Sequence, residues 1–434
     1  MRKSAHILLI GANFINKGAE AMLKTVQQEI SKHYDNAVFY MICRDYEKKL
    51  AEECGFVPIY DEFSDFKKQV NSLIYRAEGK FMKVFLKKNK SFVVHFPYQT
   101  IKKKIQKLDL VVDISGFAYA DSFGEPLMAE TIKLIDFCKR NYNSKFYFFP
   151  QAWGSFNKPE VAISAKEMLS KADLFYARDL ISQEFLSSLL KRNKQKVPLL
   201  HDIVFAYEGS KSIKPQVLLK SIGYSKSERP LIGISPNMRV YEKEKGQGED
   251  NSYLQILMNV STYCIQELNA DILLIPNEIF PDEAEMLSKV KDDRFLCRML
   301  HEKIKAPGRC FIVDGYRSSE EIKAFISQLD LLVSSRFHAL IFGFLHAVPV
   351  MAISWSHKYK ELFGLFRLDD FVLESNSTHS GSVISLLRKL YEEKEEVSKK
   401  ISLNLGKLQS DVNEMFSEIS LANSLPSAST KEQV

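Results

Sequence analysis

Short apolar runs alternate with longer amphipathic stretches along most of the chain, which is the pattern of βα units wound around a parallel sheet. In the first half, strands are expected at 6–11, 37–42, 108–114, 145–150 and 174–177. After the first of these, 19–34 carries Ala21, Met22, Val26 and Ile30 at a spacing that suits the buried stripe of a helix. The pattern loosens over 201–214, and the polar stretch 208–215 reads as an interdomain passage. A second set of units follows, with strands at 231–235, 270–276, 310–313, 329–334 and 348–354. Helices are expected at 253–268 and 319–328, and another starts at His338.

This layout predicts an α/β chain of two Rossmann-like domains, residues 1–207 and 216–365, facing each other across a cleft in the glycosyltransferase-B-like arrangement. A charged helical segment, 366–416, comes next. The small and polar residues of 417–434 read as a disordered tail.

Length and composition agree with that layout. At 434 residues the chain exceeds what one core usually organises, and 45% apolar with 26% charged residues is the balance of a globular protein. The six cysteines are scattered without a CxxC pair, so neither a zinc knuckle nor a disulfide framework is indicated. The apolar run 6–10 is too short for a signal peptide, and no stretch approaches the roughly 20 apolar residues of a membrane helix. A cytoplasmic protein, at most peripheral to a membrane, is the expectation.

The net charge of +6 is unevenly placed. Within 67–107 stand Lys67, Lys68, Arg76, Lys80, Lys83, Lys87, Lys88, Lys90, Lys102, Lys103, Lys104 and Lys107, against Glu78 alone. Such a basic insertion is drawn to anionic lipid head groups or to an acidic, lipid-linked glycan, or else is a solvated helical face. No helix-turn-helix, RRM or KH pattern accompanies it, so nucleic acid is not expected.

Polar residues recur where apolar strands end, the place at which open parallel sheets present ligands. The first is Gly11-Ala-Asn13-Phe-Ile-Asn16-Lys-Gly18, which is neither a Walker A loop nor GxGxxG. Its glycines either admit a ligand to the main chain or only shape a turn, and Asn13 and Asn16 are candidates for a sugar or phosphate contact. Asp113, Ser115 and Gln151 stand at the next strand ends as candidates for acceptor hydroxyls, with Trp153 to stack on a sugar face. Taken singly, each also fits a capping or turn role. Arg178-Asp179 precedes a helix, which Asp179 would cap with Arg178 as its surface partner.

The most informative segment ends a buried strand with Ser334-Ser335 and opens an apolar helix with Arg336-Phe-His338. Cations at a helix amino terminus oppose its dipole, so something anionic is expected beside them. Arg336 suits a phosphate or carboxylate, and His338 suits proton transfer near neutral pH. Lys358 adds a cation after the following strand, and Arg239, in Ser235-Pro-Asn237-Met-Arg239, completes the expected anion pocket. His346 reads as a core residue.

These segments resemble the motifs of polysaccharide pyruvyl transferases. The resemblance lies in Asn16-Lys-Gly-Ala-Glu-Ala-Met-Leu23, Arg178-Asp179, Ser335-Arg336-Phe-His338, Pro349 and His357-Lys358, and runs from the first strand to Phe363. The sequence departs from the family at Ala19, where many relatives are acidic. It departs again at Pro150-Gln-Ala-Trp-Gly-Ser-Phe156, in place of a GQSIGP-like segment.

The resemblance implies a glycosyltransferase-B-like fold and transfer of a pyruvyl group from phosphoenolpyruvate to two hydroxyls of a sugar. The product is a cyclic ketal, made for capsule, exopolysaccharide or cell-wall polymer. On that reading His338 and Arg336 are catalytic, and Arg336, Lys358, Arg239 and Ser335 bind the donor. Asn13, Asn16, Asp113, Ser115, Gln151, Trp153 and Arg178 bind the acceptor. Phosphoenolpyruvate is a co-substrate, and no other cofactor and no metal is expected. The rival expectations are a nucleotide-sugar glycosyltransferase on the same fold and a non-catalytic scaffold of a polysaccharide locus.

Overall fold

A computed structural model describes residues 4–60, 96–244, 246, 248–281, 291–354, 358–374 and 380–424. The chain forms two compact units, one of residues 1–13, 26–202 and 415–434 and the other of 14–25 and 203–414. The division is therefore interleaved and not a single cut near 207–216. The start of the first helix, Lys17–Ser31, belongs with the later half of the chain.

In the first unit, β1 (Ala5–Ile10), β2 (Ala37–Ile42), β3 (Val57–Ile59), β4 (Leu110–Asp113), β5 (Phe117–Tyr119), β6 (Lys145–Trp153) and β7 (Leu174–Ala177) make one parallel sheet. Its order is β3-β2-β1-β4-β6, with β5 and β7 both pairing β6. The strands are apolar runs without strict alternation because both faces are covered. One face packs Leu8, Val111, Phe146 and Phe148 against Met128, Leu134 and Ile135 of the helix Glu125–Tyr142. On the other, Phe149 meets Phe416 of the helix Lys394–Ser424, ring centroids 5.6 Å apart.

That last helix corrects the expected tail. It runs on to Ser424, burying Phe416 and Ile419 at helical spacing, and residues 425–434 lie outside the described ones. Much of the basic insertion, Lys67 to Lys90, also lies outside them. Of the remainder, Lys104 donates to the Pro58 carbonyl at 2.9 Å and Lys107 pairs with Asp109 at 3.1 Å.

In the second unit, β8 (Leu231–Ser235), β9 (Asp271–Leu274), β10 (Cys310–Ile312), β11 (Leu331–Ser334), β12 (Val350–Ser354) and β13 (Val372–Glu374) pair in parallel in the order β10-β9-β8-β11-β12-β13. This is the doubly wound order. The strand order turns back between β8 and β11, where Ser235 pairs with Ser334. The first sheet has its own switch point between β1 and β4. His346, expected in the core, is exposed and ends the helix Phe337–Leu345. Among the described residues no helix is long and apolar enough to cross a membrane.

Candidate functional site

The loops that leave β8, β9 and β11 are bound together by one buried cluster. Asp293, the first residue of the helix Asp293–Ile304, accepts from the Met238 amide at 3.0 Å and from the Asn277 and Glu278 amides at 3.1 and 2.8 Å. Its carboxylate also accepts a hydrogen bond from Arg336, whose other terminal nitrogen donates to Glu278 at 2.8 Å. Glu278 accepts as well from Arg239, at 3.0 Å from Nη2 and 3.3 Å from Nε.

Arg336 is thus a buried cation closed in by two carboxylates. Charges so deeply placed persist only when paired. The anion expected beside the helix start is the protein's own. Burial disfavours the guanidinium, but Asp293 and Glu278 outweigh it and push the Arg336 pKa up. Burial likewise opposes ionisation of Glu278, and the pull of Arg336 and Arg239 leaves that carboxyl below its ordinary value. For Asp293 burial wins over Arg336, and its pKa is raised.

Arg239 differs in being half open, its side chain 52% exposed. It joins the cluster through Glu278, where the sequence reading set it toward a bound anion. Ser335 is spent structurally: its hydroxyl accepts from Tyr253 at 2.8 Å, and its carbonyl accepts from Asn237 at 3.0 Å and Tyr359 at 2.7 Å.

His338 stands in the first turn of Phe337–Leu345, half-buried, with the Phe337 ring edge-on at 5.4 Å. Lys358 opens the next helix, Lys358–Gly364, and its Nζ lies 5.2 Å from the centroid of the same ring. The imidazole is backed by the first helix: a Cβ on Gly18 would fall 1.9 Å from its Nδ1.

The segment that brings Gly18 there is tied down throughout. Asn16 caps the helix, accepting from the Gly18 and Ala19 amides at 3.0 and 3.3 Å, and pairs as an antiparallel bridge with Glu278. The Lys17 amide donates to the Asn277 carbonyl at 2.9 Å. Its buried ammonium donates to the Phe14 carbonyl at 2.6 Å and Glu20 at 3.0 Å, 4.1 Å above the Tyr316 ring. Glu20 in turn accepts from the Ser319 amide at 3.0 Å and pairs with Lys24 at 2.9 Å.

In the first unit, Asp113 accepts from the Ser115 amide at 2.8 Å, the Ser115 hydroxyl at 2.6 Å and Tyr119 at 2.5 Å. Burial pushes its carboxyl up. Asn13 lies half-buried two residues past Gly11, whose φ of +84° and close approach to Ser115 Oγ leave no room for a side chain. Gln151 is fully buried, and its backbone carbonyl accepts from the Arg178 amide at 3.0 Å.

Two expectations are corrected here. Trp153 cannot stack on a sugar: it is buried, its face is covered by Tyr119 at 5.4 Å, and its indole donates to the Tyr176 carbonyl. Arg178 is not a surface partner of Asp179. It is buried and pairs with Asp202 at 2.9 Å, while Asp179 caps the helix Leu180–Leu190 as foreseen.

Glu278, Asp293 and Lys17 escaped the sequence reading. The rule applied to the other strand ends would have found Asn277-Glu278, which follow β9. Asp293 reads locally as one more acidic residue opening a helix.

A family model described as polysaccharide pyruvyl transferase matches residues 16–357. No curated protein sequence matches the chain. Among solved structures, UDP-GlcNAc 2-epimerase from Neisseria meningitidis bound to UDP-GlcNAc is similar at TM-score 0.58 and 10% identity, over 97% of this chain and 100% of that one. A putative UDP-N-acetylglucosamine 2-epimerase from Listeria monocytogenes is similar at TM-score 0.57 and 11% identity, over 100% of both chains. The glycotransferase of kitacinnamycin follows at TM-score 0.53 and 8% identity, over 98% and 100%. Likenesses this distant in sequence establish the shared fold.

Proposed function

The chain belongs to the polysaccharide pyruvyl transferase family, and from that premise we propose that it moves a pyruvyl group from phosphoenolpyruvate onto two hydroxyls of a surface-polysaccharide sugar or its precursor. The ends of the matched region supply the observation that carries this reading. The Asn16–Glu20 stretch and the Arg336–His338 stretch, far apart in sequence, meet in one unit, with Gly18 against the His338 ring.

The chemistry asks for a proton on the methylene carbon of the enol, which makes C2 electrophilic. One sugar hydroxyl adds there, phosphate leaves, and the second hydroxyl closes the ketal. Of the two hydroxyl protons released, one balances the new methyl group and the other departs with phosphate. His338 is the acid and base of this reading. Arg239, half open, and Lys358 face the donor's phosphate and carboxylate. Arg336 acts as a positioning residue, holding Glu278 and through it Arg239. Phosphoenolpyruvate is made in the cytoplasm, and the reading places the reaction there.

The test is mass spectrometry of acceptor glycosides incubated with phosphoenolpyruvate. His338→Ala is expected to lower ketal formation by about 10²- to 10⁴-fold, and Arg239→Ala to raise the donor KM. Turnover within a few-fold of wild type in both removes these residues from the mechanism. Saturable binding of a UDP-sugar in place of phosphoenolpyruvate overturns the reading itself.

A further inference from the structure

We propose that Phe117 and Phe123 form the platform on which the pyranose ring of the acceptor lies, with the Ser115 hydroxyl reading one of its O–H groups. The inference rests on the pyruvyl-transfer reading only in taking the acceptor to be a sugar.

Phe117 opens β5 two residues after Ser115, at the carboxyl end of β4, one of the two strands that flank the switch point of the first sheet. Phe123 follows in the same loop. The two rings touch edge to face, with centroids 5.2 Å apart and planes at 79°, yet they are 40% and 48% exposed. Single apolar side chains at a surface are ordinary; a contacting aromatic pair beside a ligand-presenting strand end asks for an occupant.

The core does not need this pair. Tyr119, between them in sequence, already anchors the loop, donating to Asp113 at 2.5 Å and stacking on Trp153 at 5.4 Å. Asp121 pins the following turn by accepting from the Ser155 hydroxyl at 2.8 Å and from the Asn157 and Lys158 amides at 2.8 and 3.1 Å. The loop is therefore held from beneath, and its two phenyl rings are presented on a fixed support.

What fits is a molecule with a C–H face and a hydroxyl edge. The single proton of Ser115 goes to Asp113 at 2.6 Å, so toward a ligand this hydroxyl acts as an acceptor and selects an O–H donor. A phenyl face takes the C–H face of a sugar ring, with its weakly positive hydrogens over the negative face of the aromatic ring. Together these are carbohydrate-recognition elements, and they stand where Trp153 was expected to serve. The polyprenyl chain of a lipid-linked acceptor is the other apolar occupant, but it offers no O–H donor for the Ser115 hydroxyl to accept.

Saturation-transfer NMR on the full chain with a series of methyl hexopyranosides tests this without relying on turnover. Saturation is expected on ring C–H protons in the wild type and loss of it in Phe117→Ala/Phe123→Ala, with Phe117→Tyr retaining it. In the steady state Phe117→Ala is expected to raise the acceptor KM about tenfold and leave the phosphoenolpyruvate KM unchanged. Both rings are exposed, so circular dichroism and the thermal midpoint should match wild type and show that the variants fold. Transfer with an unaltered acceptor KM in the double variant overturns the platform while sparing the pyruvyl-transfer reading. So does loss of binding to vesicles carrying a polyprenyl phosphate with sugar contacts intact. Absence of transfer in the wild type, with the saturation pattern as expected, sinks the reaction and keeps the platform.

Discussion

At position 18 a single missing carbon decides where an imidazole can stand. Gly18→Ala puts a methyl 1.9 Å from His338 Nδ1, and the ring, not the helix, has to give way. Alanine is the better helix former, so folding should survive while turnover falls about 10²-fold. Steady-state rates of Gly18→Ala measured alone and on a His338→Ala background check this, because the second change should then add nothing. None of this was legible locally: the glycine and the histidine are both visible in the sequence, but their contact is not. Trp153 teaches the same lesson, since a tryptophan at a strand end looks alike whether its face meets a sugar or Tyr119. Arg336 was recognised as a cation in want of an anion, but that anion was taken to be a donor's phosphate or carboxylate; the carboxylates that answer it are the protein's own, 58 and 43 residues away.

At the scale of elements the apolar periodicity was a good guide. β2, β7 and β8 fall where it places them, because compact runs of four to six mostly apolar residues leave a clear mark even where, as in β7, the strand is only partly buried. β3, β5 and β13 have three residues each and carry no period to detect. Strand ends were legible as a class, whereas the staple that binds three of them was not, being made by Asp293 at the start of a helix. Asp293→Asn leaves Arg336 short of one carboxylate and weakens the acceptor for three amides. Removing one partner of a buried pair costs about 3–5 kcal/mol, so urea unfolding should show a loss of that size.

For the whole molecule, stability is expected to depend on groups remote from the chemistry. Phe416 is fully buried against Phe149, and Phe416→Ala should cost about 3–5 kcal/mol, read as a lower urea midpoint. Lys323, donating to the Tyr207 and Glu208 carbonyls at 2.8 and 2.7 Å, is lowered by burial from 10.5 to about 8. Between about pH 8 and 10.5 the folded chain has shed this proton while the unfolded chain keeps it, so the unfolded state binds more protons and stability rises with pH. The contribution is present above the upper value and lost as pH falls through the lower one. Thermal midpoints of wild type minus Lys323→Met should climb across that window; a flat difference removes the lysine from the account.

The interleaved ownership of the chain has a consequence for its synthesis. Ile30 and Tyr34 share a small apolar recess with Ile419, and Phe149 waits for Phe416. Those partners are synthesised long after the amino-terminal strands, so this part of the first unit's packing waits until residues 415–419 have been made.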